Sequence, residues 1–151
     1  MKAITFNRYG NPEVLTLQTI DKPIPKASEV LVKMVATSAS IGDARIRKAD
    51  PFLVRLMFGL TKPKLKVLGF IFSGEIVELG QDVKKFKICD LVYGETDWTG
   101  GAYAEFLCQN ENGAIVKKPE SLSHIEAAAI PFGGLTALHF LQKANIKTGE
   151  R

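Results

Sequence analysis

A predominantly β, α+β fold is predicted by three features of the sequence. At least six short apolar runs, rich in β-branched and aromatic residues, are separated by glycine, proline and asparagine turns, a pattern of strands rather than helices. A complete helix-start signal falls only near the end, at Ser123-His124-Ile125-Glu126, where serine is followed by glutamate at the third position after it. The 151 residues suffice for one hydrophobic core and leave little room for a second folded unit. Strands first and helices last describe a β domain with a helical C-terminal edge.

Met1 to Phe6 and Val14 to Ile20 read as two strands joined by the turn Tyr9-Gly10-Asn11-Pro12. Pro23 and Pro25 hold an extended connection, because proline fixes its own dihedral and biases its neighbour away from helix. Ser28 to Ser38 carries Val30, Val32, Met34 and Ala36 on one face and Leu31 and Val35 on the other; a strand apolar on both faces is central and covered.

From Ile41 to Asp50 a short helix is expected, with Asp43 as its cap and Ile46 on its inner side. Pro51 to Lys66 mixes large apolar residues with Lys62, Lys64 and Lys66. A short helix packed on the barrel is the favoured reading, because apolar stripes usually belong to the core. The alternative is a mobile apolar flap over a ligand cleft.

Leu68 to Gly80 reads as a half-buried hairpin turning on Ser73-Gly74, and Val83 to Ile88 resumes the extended pattern. Further strands are expected over Asp90 to Glu95, Ala102 to Gln109 and Ala114 to Lys117. The box at Ser123 launches a short helix that Pro131 ends, and a second helix runs from about Gly134 to Ala144 with Leu135, Leu138 and Leu141 on one stripe.

Composition narrows the possible functions. At 46% hydrophobic and 24% charged the chain is an ordinary soluble type. Its net charge of +4 comes from 20 Lys and Arg against 16 Asp and Glu spread along the sequence, so nucleic acid is not an expected partner. The one long apolar tract, Pro51 to Leu60, contains Arg55 and is too short to span a bilayer, so no membrane partner is expected. The first six residues pass straight into a strand pattern rather than a signal-peptide core, and two cysteines, Cys89 and Cys108, make no disulfide framework. A cytoplasmic location is the expectation.

An ordered set of motifs adds what periodicity does not supply. Leu68-Gly69-Phe70, Ser73-Gly74-Glu75-Ile76-Val77, Gly80, Asp90-Leu91-Val92-Tyr93-Gly94, Gly101-Ala102-Tyr103-Ala104-Glu105, Ala127-Ala128-Ala129-Ile130-Pro131 and Gly134-Leu135-Thr136-Ala137 together resemble the medium-chain dehydrogenase/reductase superfamily, within it the zinc-independent quinone oxidoreductase branch. The resemblance implies a GroES-like, partly open β-barrel with C-terminal helices. It would be the catalytic domain of a two-domain enzyme that reduces quinones, enones or other carbonyl compounds with NADPH.

The same resemblance locates the sites. The first zinc ligand of zinc-dependent members would fall at Ser40, and their Gly-His-Glu motif at Gly69-Phe70-Ile71. Serine, phenylalanine and isoleucine cannot make a thiolate, imidazole and carboxylate set, so no zinc is expected. His124 lies within the capping box, His139 in the last helix, and the two cysteines match no usual ligand spacing; these are read as structural or surface residues.

Thr136 matches the family threonine beside the nicotinamide, with a helix-start threonine bonded to backbone as the plain alternative. Ser40 and Asp43 are the candidate catalytic residues, Ser40 by hydrogen bonding to substrate or ribose and Asp43 equally as a mere cap. Phe70 and Trp98 are candidate walls of the substrate pocket, with core packing the stronger alternative for Phe70. Two departures are evident: many quinone-reductase relatives carry Asn where Gly42 aligns and Asp where Ile71 aligns.

The domain division expected is a GroES-like catalytic domain over residues 1–130, then a helix and a lead-in to a nucleotide-binding domain over 131–151. Asn145 to Arg151 resembles that lead-in, but no strand, glycine turn and helix follow, and Gly133-Gly134 is no substitute. The expectation is therefore a fragment that needs its own Rossmann domain, binds NADPH weakly and is inactive alone. The parent enzyme would be homodimeric. The alternative from another class is a noncatalytic β-barrel binding module.

Overall fold

The computed structural model describes residues 1–145, so the expected lead-in at 146–151 lies outside the described residues. Among the described residues, seven strands form two antiparallel sheets: β1 (Lys2–Thr5) pairs with β2 (Thr16–Thr19), and β3 (Glu29–Ser38), β4 (Ile71–Leu79), β5 (Leu91–Glu95), β6 (Phe106–Asn110) and β7 (Ile115–Lys117) line up in the order β6-β3-β4-β5-β7. β1 also meets the Ala104 segment through an isolated Ala3–Ala104 bridge, and the sheets do not close into a barrel. Between β1 and β2, Pro12–Val14 forms a single 3₁₀ turn, so β2 begins at Thr16 rather than at the expected Val14. Pro12 at its first position suits the turn because its fixed φ is helix-compatible.

β3 is central, as its two apolar faces require: β4 pairs along one edge and β6 along the other. Val30, Leu31 and Val32 are all fully buried, although Val35 further along is exposed. Register shifts at Leu31/Val32 and Met34/Ala36 bend the strand and increase its twist.

The hairpin expected at Ser73-Gly74 does not form. β4 is one continuous strand, with Ser73 paired to Ala36 on one side and Tyr93 on the other. Gly74 is there for close approach and not for a turn: a Cβ at this position would overlap the Lys33 carbonyl oxygen and press on the Val32 side chain. Nor does Val83 to Ile88 form a strand; Val83 and Phe86 pack instead against the core of Val30, Val32, Phe72, Ile76 and Val92. The strand expected from Ala102 starts only at Phe106, because Ala102 and Tyr103 spend their amides on the Gly69 and Leu68 carbonyls, at 3.0 Å each.

α1 (Ile41–Lys48) buries Ile46 in a second core cluster with Phe6, Phe58, Leu68 and Phe70. α2 (Val54–Phe58) packs through Phe58, so the expectation of a packed helix is met only in part: Phe52, Leu53, Leu56, Met57 and Leu60 are each 60–69% exposed. α3 (His124–Ala127) starts from the predicted capping box, with Ser123 Oγ accepting from the Glu126 amide and Glu126 from the Ser123 amide. It ends at Ala127, before Pro131, which sits inside a wide turn over Ile130–Gly134 that leads into α4 (Leu135–Ala144). Leu135, Leu138 and Leu141 are about half exposed on α4. No helix among the described residues is long and apolar enough to cross a membrane.

Candidate active-site cleft

α1 starts at Ser40, whose extended backbone (φ −109°, ψ 165°) turns its side chain back over the first turn. Ser40 Oγ accepts from the Asp43 amide at 3.3 Å, while the Ser40 amide and hydroxyl donate to Asp43 Oδ2 at 2.8 and 2.7 Å. The other carboxylate oxygen, Oδ1, accepts from the Gly69 amide at 3.1 Å. Asp43 is thus 6% exposed yet met by three donors, and it ties the start of α1 to the loop that runs into β4. Ser40 is therefore the N-cap, and Asp43, expected to be the cap, is instead the third helical residue that answers it in a capping box.

Gly69 carries φ +87°, and a Cβ there would lie 2.5 Å from the Tyr103 ring. This glycine brings the Asp43 carboxylate and Tyr103 together at the foot of the loop. The Tyr103 hydroxyl is buried without a hydrogen-bond partner among the described residues. Burial first, and the adjacent Asp43 charge second, raise its pKa well above the ordinary phenol value.

A cleft of about 260 Å³ opens between the start of α1, the first residues of β4 and the segment after β5. It brings together three of the predicted site residues, Ser40, Phe70 and Trp98. Asp43 lies just behind, lining a neighbouring cavity of about 410 Å³ with Ser40 and Tyr103. Phe70 serves twice: at 9% exposure it is part of the core cluster, and its remaining surface faces the cleft. Trp98 is 68% exposed on the loop after β5, its ring 6.0 Å from Phe58 at a tilted 53°. Thr136 does not line this cleft; it is exposed at the second position of α4, one turn beyond Phe132, which does.

Four residues at or beside the site escape sequence reasoning: Glu95, Asp97 and Phe132 in the cleft, and Tyr103 against Asp43. Glu95 reaches the cleft because β5 pairs with β4 so that Glu95 stands opposite Ile71, a register no local pattern reveals. Burial, and then the nearby Asp97 charge, raise the Glu95 carboxyl above the usual carboxylate range.

Three of the positions where the resemblance would put zinc ligands, Ser40, Phe70 and Ile71, line the cleft. The Ser40 hydroxyl is held by Asp43, and Phe70 and Ile71 bring no donor atoms. Among the described residues, no three His, Cys, Asp or Glu side chains gather in a metal-binding group. His124, far from this cleft in sequence, bonds through Nδ1 to Ser73 Oγ at 2.8 Å and so stitches α3 to β4. Burial, and then Lys118, lower its pKa, as expected of a structural imidazole held neutral.

The open antiparallel sheets are those of a GroES-like domain, and the chain belongs to the alcohol dehydrogenase GroES-like domain family, whose model matches residues 26–120. Within the medium-chain superfamily the likeness is to quinone oxidoreductases. The chain is 38% identical over 145 residues to the chloroplast envelope quinone oxidoreductase homolog of Arabidopsis thaliana, covering 93% of this chain and 42% of that protein. The structure of the quinone oxidoreductase from Coxiella burnetii matches with a TM-score of 0.87 and 36% identity, covering 99% of this chain and 47% of that one. The Escherichia coli quinone oxidoreductase complexed with NADPH matches with a TM-score of 0.81 and 26% identity, covering 95% and 41%. The chain therefore spans less than half the length of these relatives.

Proposed function

We propose that the chain supplies the catalytic-domain half of a zinc-independent oxidoreductase that reduces quinones, enones or other carbonyl compounds with NADPH. The observation that carries this reading is the cleft itself, in which Phe70, Trp98 and Phe132 form an aromatic wall and Ser40 stands where the family resemblance puts a metal ligand. A flat conjugated carbonyl compound suits such a wall, because aromatic faces bind planar apolar groups while one polar group sets the orientation.

NADPH, when bound, supplies the hydride. The residues of this chain orient the acceptor and exclude water with their apolar surface, and Ser40, its hydroxyl proton given to Asp43 Oδ2, presents its oxygen at the polar end of the cleft. Ser40 is held in place by Asp43, which acts as a positioning residue. Thr136 would meet the cofactor from the exposed side of α4, together with residues of a nucleotide-binding domain. The 151 residues alone are expected to bind NADPH weakly and not to turn over.

The test is NADPH oxidation by the full-length gene product with 1,4-benzoquinone or 2-cyclohexen-1-one, before and after exhaustive treatment with a zinc chelator. Turnover that survives chelation is expected. Loss of turnover that returns only with zinc would overturn the metal-free reading, and absence of NADPH oxidation with every quinone and enone would overturn the substrate class. Micromolar NADPH affinity of the 151-residue chain would overturn its dependence on a second domain.

A further inference from the structure

Trp98 is the wall of two cavities at once. On one side lies the cleft of about 260 Å³ with Ser40 and Phe70; on the other lies a pocket of about 220 Å³ formed by Met57, Phe58, Lys64 and Leu65. The indole stands between them because the loop that carries it is held at both ends. The Thr96 amide donates to the Phe70 carbonyl at 2.7 Å, and the Gly101 amide donates to the Val67 carbonyl at 3.2 Å. Phe58 supports the ring from the side of α2, while most of the indole stays exposed.

The two compartments differ in chemistry. The first has polar groups at hand, Ser40, Glu95 and Asp97, beside its aromatic wall. In the second, Met57, Phe58, Leu65 and the Trp98 face are apolar, with Lys64 the one charged lining residue, and Leu53, just before α2, and Leu56 within it are exposed. No acidic residue occurs from Pro51 to Gly74, so nothing there favours a cationic ligand arm.

The geometry points to a two-compartment substrate site divided by Trp98, in which the carbonyl end of the acceptor occupies the Ser40 cleft and an apolar arm crosses the indole into the pocket under α2. This assigns the acceptor class as ketones, enones or quinones bearing an extended apolar chain, and Trp98, Met57 and Leu65 as residues that set chain-length preference. The proposal rests on the carbonyl-reductase reading above for its polar end only. It gives Pro51 to Lys66 a role that joins the two alternatives for that segment: Phe58 is core, and its neighbours on α2 present apolar surface to ligand.

Trp98 is the single tryptophan of the chain, so its fluorescence reports the dividing wall directly. The 151-residue chain is titrated with methyl ketones from 2-butanone to 2-nonanone, which present a carbonyl without alkylating cysteine. Affinity is expected to rise about threefold per added methylene once the arm passes the indole, following the transfer free energy of a partly buried CH₂ group. Leu65→Phe fills the second pocket and is expected to flatten this rise. Met57→Gln, at an exposed position of the same pocket, is the second variant if Leu65→Phe impairs folding, and is expected to reduce the rise about twofold or more per methylene.

Affinity independent of chain length, or a length dependence that both variants leave intact, would overturn the two-compartment site. Alkyl methyl ethers of matching length separate this from the reading it rests on. Ethers that bind as well as ketones would remove carbonyl recognition from the Ser40 cleft and still support the second compartment. Ketones that outbind ethers without any length dependence would keep the carbonyl reading and remove the compartment.

Discussion

The Asp43 carboxylate accepts the Gly69 amide at 3.1 Å, joining the first turn of α1 to the loop that leads into β4. The contact spans 26 residues and fixes one edge of the cleft relative to the other. Ser40 owes its position to the same carboxylate. The site and part of the fold's stability therefore depend on one buried acid.

Asp43→Asn should be more damaging than an isosteric change suggests. The amide keeps an oxygen for Gly69 but turns a donor toward the Ser40 amide and hydroxyl, which have donated to Oδ2. A loss of about 2–3 kcal/mol is expected from urea unfolding, from a lost charge-assisted cap and a buried mismatch. A loss below about 0.5 kcal/mol would show that the cap contributes little.

Gly69→Ala tests the loop from its other side. The residue sits at φ +87°, and the added Cβ meets the Tyr103 ring at 2.5 Å, so backbone strain and overlap act together. A destabilisation of about 2–4 kcal/mol is expected, with lowered thermal midpoint. Pairing it with Tyr103→Leu should recover only the overlap with the ring, because the left-handed backbone and the 2.8 Å approach to the Tyr103 amide nitrogen remain.

Acid should weaken the protein through Asp90. Burial works to raise its carboxyl, but the Lys117 ammonium at 2.9 Å and the Lys87 amide at 2.9 Å prevail and hold it below the usual carboxylate range. A carboxyl depressed in the folded state contributes stability that is present above its unfolded pKa and is lost as pH falls through the folded value. Asp90→Asn should therefore be less stable than the native chain near neutral pH, with the gap closing as pH drops below about 4. A gap that stays constant with pH would assign the effect to packing.

His124 should add a second acid-sensitive step at higher pH. The imidazole resists protonation in the folded state, so stability begins to fall as pH drops through the unfolded histidine value of about 6.5. His124→Gln should flatten that part of the stability profile while keeping a group able to reach Ser73. Ser73→Ala leaves the imidazole without its partner and should lower stability by about 1–2 kcal/mol near neutral pH, measured by urea unfolding.

Much of this molecule is legible locally. The two-faced apolar pattern of Ser28 to Ser38 requires a covered central strand, the Ser123–Glu126 box starts α3, and Ser40, Phe70 and Trp98 meet in one cleft. Each follows from short-range chemistry or from ordered motifs, which carry their information in the order of the residues themselves. A cap needs residues three apart, and a covered strand needs only that both faces be apolar.

Tertiary structure decided the rest, because the deciding contacts are remote in sequence. Ser73-Gly74 has the composition of a turn, yet β3 and β5 pair along both edges and draw it into a straight strand, where glycine admits the Lys33 backbone. Glu95 and Phe132 enter the cleft only because strand register and the turn before α4 bring them there. Trp98 is visible in the sequence as an apolar residue in a glycine-rich loop; that it divides two cavities is decided by Phe58, which reaches it from forty residues earlier in the chain.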